Sequence, residues 1–133
     1  MHSLGKARKA AFEGVFDATA FGATPQRRGA FPGDPTIPEP IIPGVDILNL
    51  NVFTPTTDAS AHLPVHVYIH GGGYIAGSHV GSWFDGASYN RDGVVVVTIS
   101  YRLGFDGFGW IEDAPSNRGM LDMICALEWV RDN

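Results

Sequence analysis

Two histidines four residues apart, His66 and His70, stand directly before three consecutive glycines, Gly71, Gly72 and Gly73, in the stretch VHVYIHGGGYIAGS. Imidazoles hold metals or move protons, and a bare backbone grips ligands, so each chemistry has to be weighed against the element that carries it. An H-x-x-x-H pair shares one zinc ion on a helix, whereas on a strand four residues span about 13 Å, too far for a common ion. Val65, Val67 and Ile69 alternate with His66 and Tyr68, which predicts a strand and therefore no metal site.

Three glycines in a row are costly in chain entropy and are kept where φ is positive or where something approaches the backbone closely. Gly71, Gly72, Gly73 and then Ala76 fit the G-x-G-x-x-[GA] turn that binds dinucleotides. That turn opens a long helix and is followed by an acidic residue about 20 positions on. Here YIAGSHVGSWFDGASYN carries three more glycines and no helical stripe, and the next strand ends in Ser100, Tyr101 and Arg102. A phosphate loop is closer in spacing, from Gly72 to Gly77 and then Ser78, but its lysine is missing. No nucleotide or other cofactor is expected. The remaining reading is an oxyanion hole, in which free backbone N–H groups face a tetrahedral intermediate and side chains would block the substrate carbonyl.

The elements that would position this loop follow from periodicity. DILNLNV, residues 46–52, sets Leu48, Leu50 and Val52 against Asn49 and Asn51, the pattern of a half-buried strand. GVVVVTIS, residues 93–100, is apolar on both faces and predicts a central, parallel strand covered from both sides. From Asn117 to Asn133, Met120, Met123, Ile124, Leu127 and Val130 recur at three- and four-residue steps behind Ser116 or Asn117 as N-cap, which predicts a helix. Residues 1–44, including RRGAFPGDPTIPEPIIPG, are too rich in proline and glycine for regular structure and predict mostly extended coil, leaving sheet and helix to 45–133. Strand, glycine loop, buried strand, helix is the order of an α/β fold with a mixed, mostly parallel sheet.

Composition bounds the rest. A chain of 133 residues that is 44% hydrophobic, with three Trp and eight Phe, supports one packed domain. A net charge of −5, with basic residues scattered apart from Lys6, Arg8 and Lys9, argues against nucleic-acid and anionic-membrane partners. Cys125, the single cysteine, excludes an internal disulfide, and its neighbours Ile124 and Ala126 mark it as a packing residue. No window approaches the roughly 18 apolar residues of a membrane span, and no continuous apolar stretch follows the N-terminal basic residues. Nothing in these features addresses the chain to secretion; they lean toward a cytoplasmic setting and leave the compartment open.

Five blocks, in order, are similar to those of the type-B carboxylesterase/lipase family of α/β-hydrolases: FEGVFDATAFGATPQ, DILNLNVFTP, LPVHVYIHGGGYIAGS, GVVVVTISYRLGFDGF and APSNRGMLDMICALEWVRDN. The resemblance runs from about residue 11 to Asn133. It implies that residues 1–133 are an N-terminal fragment of one catalytic domain, a partial α/β-hydrolase fold truncated before the nucleophile-elbow strand. The family continues into G-x-S-x-G and keeps the chain order Ser, Asp or Glu, His. The triad is therefore expected beyond Asn133, with no catalytic side chain here and no activity for the chain alone. None of His2, His62, His66, His70 or His79 is then the base, and Ser88 in GASYN is read as a surface-loop serine.

The resemblance further implies that Gly72 and Gly73 donate to the oxyanion and that His70, Gly71 and Gly77 shape the loop. It also implies that Arg102 and Asp122 form an ion pair anchoring a strand end to the helix, and that the partner of the full-length protein is a small-molecule ester. Val45, Asp46 and Ile47 stand where the family has Glu-Asp-Cys, which removes half of a disulfide and one ion-pair partner. Two other readings stand beside this one. The first is a non-catalytic adhesion or binding member of the same fold, against which the intact HGGG argues; the second is a nucleotide-binding α/β domain. The ester and the oligomeric state are left open.

Overall fold

In the computed structural model, which describes residues 5–11, 13–25 and 39–133, the run of valines after Gly93 becomes the centre of the sheet. β3 (Val95–Ile99) lies between β1 (Leu50–Phe53) and β2 (Val65–Ile69), in the order β1-β3-β2. β2 runs parallel to β3, with Val65 opposite Val95 and Ile69 opposite Ile99, whereas β1 runs antiparallel, with Leu50 opposite Ile99. Among the described residues the sheet is therefore mixed, with one pairing of each kind rather than mostly parallel.

Both faces of β3 are covered, by different means. Val97 and Ile99, continued by Tyr101 and Leu103, pack on Met123 of α3 (Arg118–Asp132), with Leu50 and Val67 beside them. On the opposite face Val96 and Thr98 lie under the irregular segment after β2, where Ala76, Ser78, His79 and Val80 are buried. Thr98 Oγ1 donates to the His79 carbonyl at 2.9 Å. Gly86 lies so close to Phe53 and Val96 that a Cβ there would sit 2.5 Å from Phe53 Cβ. This cover includes a 3₁₀ turn at Ser82–Phe84 and one short helix, α1 (Ala87–Arg91). Ser88 is exposed on α1 and so is helical rather than in a loop.

The alternation in DILNLNV is real, but its faces carry different loads from those expected. Leu48 and Val52 remain 39% and 46% exposed, and only Leu50 joins the core. The asparagines do the anchoring: Asn49 Nδ2 donates to the Ala23 carbonyl at 2.8 Å, Asn51 Nδ2 donates to Thr98 Oγ1 at 2.9 Å, and His79 Nε2 donates to Asn49 Oδ1 at 2.7 Å. A strand of four residues starting at Leu50 is thus held through its polar face.

α3 begins where the periodicity placed it, but not by the expected cap. Asn117 is left-handed at φ 54 and makes no side-chain capping bond. The next residue closes the turn. Arg118, at 0% exposure, donates from Nε to Asp106 O (2.7 Å), from Nη1 to Pro115 O (2.9 Å) and from Nη2 to Phe105 O and Gly109 O (3.0 and 2.9 Å). It thereby meets the Asp106 carbonyl in the last turn of α2 (Gly104–Phe108), and shares the Phe105 carbonyl with the Gly109 N–H that caps that helix. Cys125 is only half-buried, and burial, followed by the Glu128 charge, pushes its thiol pKa up.

Described residues before β1 contain no helix or strand, while most of the proline-rich stretch lies outside the described residues. No described helix is long and apolar enough to cross a membrane.

The end of β3 is tied to α3 by a buried, bidentate pair. Arg102 Nη2 and Nε donate to Asp122 Oδ1 and Oδ2 at 2.6 and 2.7 Å, and the Arg102 backbone N–H adds a third bond to Oδ2 at 3.0 Å. Asp122→Ala leaves a buried guanidinium and a buried N–H without their carboxylate, and is expected to cost about 3 to 5 kcal/mol. The check is the shift in denaturation midpoint, with Arg102→Met/Asp122→Leu expected to be less damaging than Asp122→Ala alone.

Candidate functional site

β2 delivers the chain to His70, where its character changes. The His70 side chain is buried and stacked on Tyr101, with centroids 4.4 Å apart and planes 17° apart. Its Nδ1 lies 2.9 Å from the Gly71 carbonyl. A carbonyl only accepts, so this nitrogen carries a proton. Tyr101 Oη in turn donates to the His70 carbonyl at 2.8 Å. His70 thus acts as a wedge under the first glycine rather than presenting an imidazole to solvent.

Beyond it the backbone enters conformations that side chains rarely adopt. Gly72, Gly73 and Gly77 have φ of 119, 62 and 98, and Tyr74 shares the left-handed region at 65. Gly72 O accepts from the N–H groups of Ile75 and Ala76 at 3.2 and 3.1 Å, closing a tight turn. A Cβ on Gly72 would overlap Ala76 O, and one on Gly77 would overlap Gly71 O and His70 Nδ1, so both are glycine for steric reasons as well. Gly71 and Gly73 instead have open space where a Cβ would stand.

The turn leaves donors unspent. Among the described residues the N–H groups of Gly72 and Gly73 donate to no acceptor, and both glycines are exposed. Beside them is an open cleft of about 380 Å³ whose lining includes Ile69, His70, Gly73, Tyr74, Met120 and Met123. The lining is mostly apolar, and no charged side chain of the described residues belongs to it.

Contacts from two parts of the chain hold the loop from outside. Gly104 N–H donates to the Tyr74 carbonyl at 2.7 Å while the Phe108 ring packs on the Tyr74 ring at 4.8 Å, so α2 braces the near side. Gly77 N–H donates to Glu39 Oε1 at 3.1 Å, across 38 positions of sequence.

The sequence-predicted residues are therefore distributed as follows. Gly71, Gly72, Gly73, Gly77 and His70 form one loop, while Arg102 and Asp122 lie behind it as a buried pair. His66 is elsewhere, stacked on Tyr89 at 5.0 Å. Among the described residues no three His, Cys, Asp or Glu side chains are grouped to hold a metal ion. Glu39, Tyr101 and Arg118 are contributors that sequence reading missed. Only Tyr101 had a legible signal, as it continues the odd-numbered buried series Val97, Ile99 and Leu103.

A mixed α/β sheet with a glycine turn at the end of a parallel strand is the class of structure these elements define. The chain belongs to the carboxylesterase family, whose model matches residues 6–133. It is 40% identical over 129 residues to the para-nitrobenzyl esterase of Bacillus subtilis (strain 168), covering 92% of this chain and 26% of that protein. It is 47% identical over 92 residues to the medium-chain fatty acyl-CoA hydrolase precursor of Anas platyrhynchos, covering 66% of this chain and 16% of that protein. A solved PNB esterase superposes with a TM-score of 0.75 at 37% identity, covering 92% of this chain and 25% of its own. The chain thus spans about a quarter or less of the length of these relatives.

Burial, and then the neighbouring Tyr74 and Tyr68, push the Tyr101 phenol up from 10.0 to about 12. A raised pKa contributes stability that is fully present below pH 10 and is lost as pH climbs through about 12. Alkaline titration followed by tyrosinate absorbance should therefore show a late phenol ionising near pH 12, and Tyr101→Phe should remove that last step.

Proposed function

We propose that the chain is the N-terminal part of the catalytic domain of a serine carboxylic-ester hydrolase and that it supplies the oxyanion hole. The observation that carries this reading is the pair of exposed N–H donors on Gly72 and Gly73, without protein acceptors among the described residues, beside an apolar cleft. Ester hydrolysis through an acyl-enzyme places negative charge on the former carbonyl oxygen. Donors held 2.7–3.1 Å from that oxygen stabilise the transition state more than the ground state, in the range of about 10² to 10³ in kcat per donor. The named activities of the relatives, esterases and an acyl-CoA hydrolase, support the same chemistry.

In this reading the nucleophile, its base and its acid come from polypeptide beyond Asn133, in a partial α/β-hydrolase fold whose elbow strand follows α3. His70, Gly71 and Gly77 shape the loop, and Arg102 with Asp122 anchors the scaffold. The partner is a small-molecule ester, and no cofactor takes part.

Gly73→Pro is not a clean probe of the donor, since proline needs a φ near −65° while Gly73 sits at φ 62. Replacing the Gly73 amide by an ester linkage in the full-length protein deletes the N–H without adding a side chain. Its kcat should fall by about 10² to 10³. Ser88→Ala, an exposed change on α1, should leave kcat within about twofold. Full activity in the ester variant, or its abolition by Ser88→Ala, would overturn the assignment.

A second check lies in the reading frame past Asn133, expected to encode G-x-S-x-G within roughly 25 residues. The polypeptide of residues 1–133 by itself should turn over no aryl ester above background.

A further inference from the structure

We propose that Glu39 is a positioning residue for the oxyanion donors, its carboxylate holding the Gly77 N–H and thereby setting the closure of the loop that presents Gly72 and Gly73. The proposal rests on the reading of that loop as an oxyanion hole.

Residues 71–77 form a loop whose two legs meet at the base. The meeting point leaves no room for a Cβ on Gly77, which would run into Gly71 O on one side and His70 Nδ1 on the other. The leg entering the loop is fixed by the His70 ring, itself stacked on Tyr101 and tied to it through the His70 carbonyl. The leg leaving the loop carries Gly77 at φ 98, a backbone conformation that glycine adopts and other residues rarely do. The bond from Gly77 N–H to Glu39 Oε1 restrains it.

The segment that supplies Glu39 is anchored, so it can impose a position. Thr24 N–H donates to the Ile42 carbonyl at 3.0 Å and Ile42 N–H donates back to Thr24 Oγ1 at 3.1 Å. Farther along, Ser100 Oγ donates to the Ile47 carbonyl at 2.6 Å. Glu39 thus connects a fastened stretch of coil to the leaving leg of the loop, whose near side is braced by α2 through Tyr74. A carboxylate also forms a stronger bond to a backbone N–H than a neutral acceptor does.

Oxyanion donors have to be held within about 0.5 Å of productive geometry. Releasing one leg lets Gly72 and Gly73 spread, which weakens their grip on the developing charge more than on the ground-state carbonyl. Loss of Glu39 should therefore appear in kcat rather than in KM.

The experiment uses the full-length protein with Glu39→Ala, Glu39→Gln and Glu39→Asp. Glu39→Ala is expected to lower kcat by about tenfold with KM within about twofold. Its affinity for a trifluoromethyl ketone, whose tetrahedral adduct presents the oxyanion, should fall by the same factor as kcat/KM. Glu39→Gln keeps an acceptor oxygen and should recover most of the loss. If Glu39→Ala does not fold, Glu39→Asp, with the charge retained one methylene short, decides by the same ratios. Unchanged kcat and inhibitor affinity, or a Gln variant as impaired as the Ala variant, would overturn the role of Glu39. If full-length wild type is inactive or indifferent to the Gly73 ester linkage, the oxyanion reading itself fails, which is a separate result.

Discussion

Ser100 to Leu103, the residues that leave β3, are all out of water, and that burial constrains everything around them. A buried polar group without a partner costs more than a hydrogen bond returns, so each has to be met from a different part of the chain. Ser100 takes the coil before β1, Tyr101 takes the carbonyl of His70, and Arg102 takes α3 together with the Gly5 carbonyl. Gly104, one residue on, donates to Tyr74. A single short stretch therefore sets where coil, glycine loop and helix stand relative to one another.

This wiring matters because, among the described residues, the contiguous apolar cluster between β3 and α3 is small, five buried residues with a partly buried fringe. Non-directional burial drives compaction but does not choose among neighbouring arrangements of loops. Direction comes from the polar contacts, above all from the two arginines. Arg102 meets a carboxylate, whereas Arg118 spreads its charge over four backbone carbonyls around α2. Gly119 makes room for this, since a Cβ there would sit 2.6 Å from the Arg102 carbonyl and from the Phe108 ring. Removing either arginine disturbs several segments at once, so the effects of paired substitutions in this region are not expected to add.

How much was legible in the sequence depended on whether the signal was periodic. β2, β3 and α3 announce themselves because burial on one or two faces repeats at a fixed interval, and the glycine run does so because few conformations require it. β1 was legible as an element but its loads were not, since alternation cannot tell a solvated asparagine from one hydrogen-bonded across a sheet. α1 and α2, each of five residues, are too short to show a helical stripe. Glu39 lies in proline-rich coil and Arg118 at a helix start, where a charged side chain reads as solvated. Their contacts reach across the fold or fill a local cage, and neither leaves a pattern along the chain. Ordered motifs made the family recognisable, whereas the supports of the loop needed coordinates.

The outer edge of β2 adds a consequence of a different kind. β2 ends the sheet on that side among the described residues, with Val65 and Ile69 half open to solvent. It is also the strand that runs straight into the glycine turn. Any strand that zips onto this edge in parallel will have its far end delivered beside Gly72 and Gly73 by the ladder itself. The ladder advances in steps of about 3.3 Å, and a slip of one step also turns every side chain to the wrong face. The edge therefore acts as a ruler with coarse, discrete marks: an arriving group lands at the donors or misses them by several ångströms, with no intermediate setting.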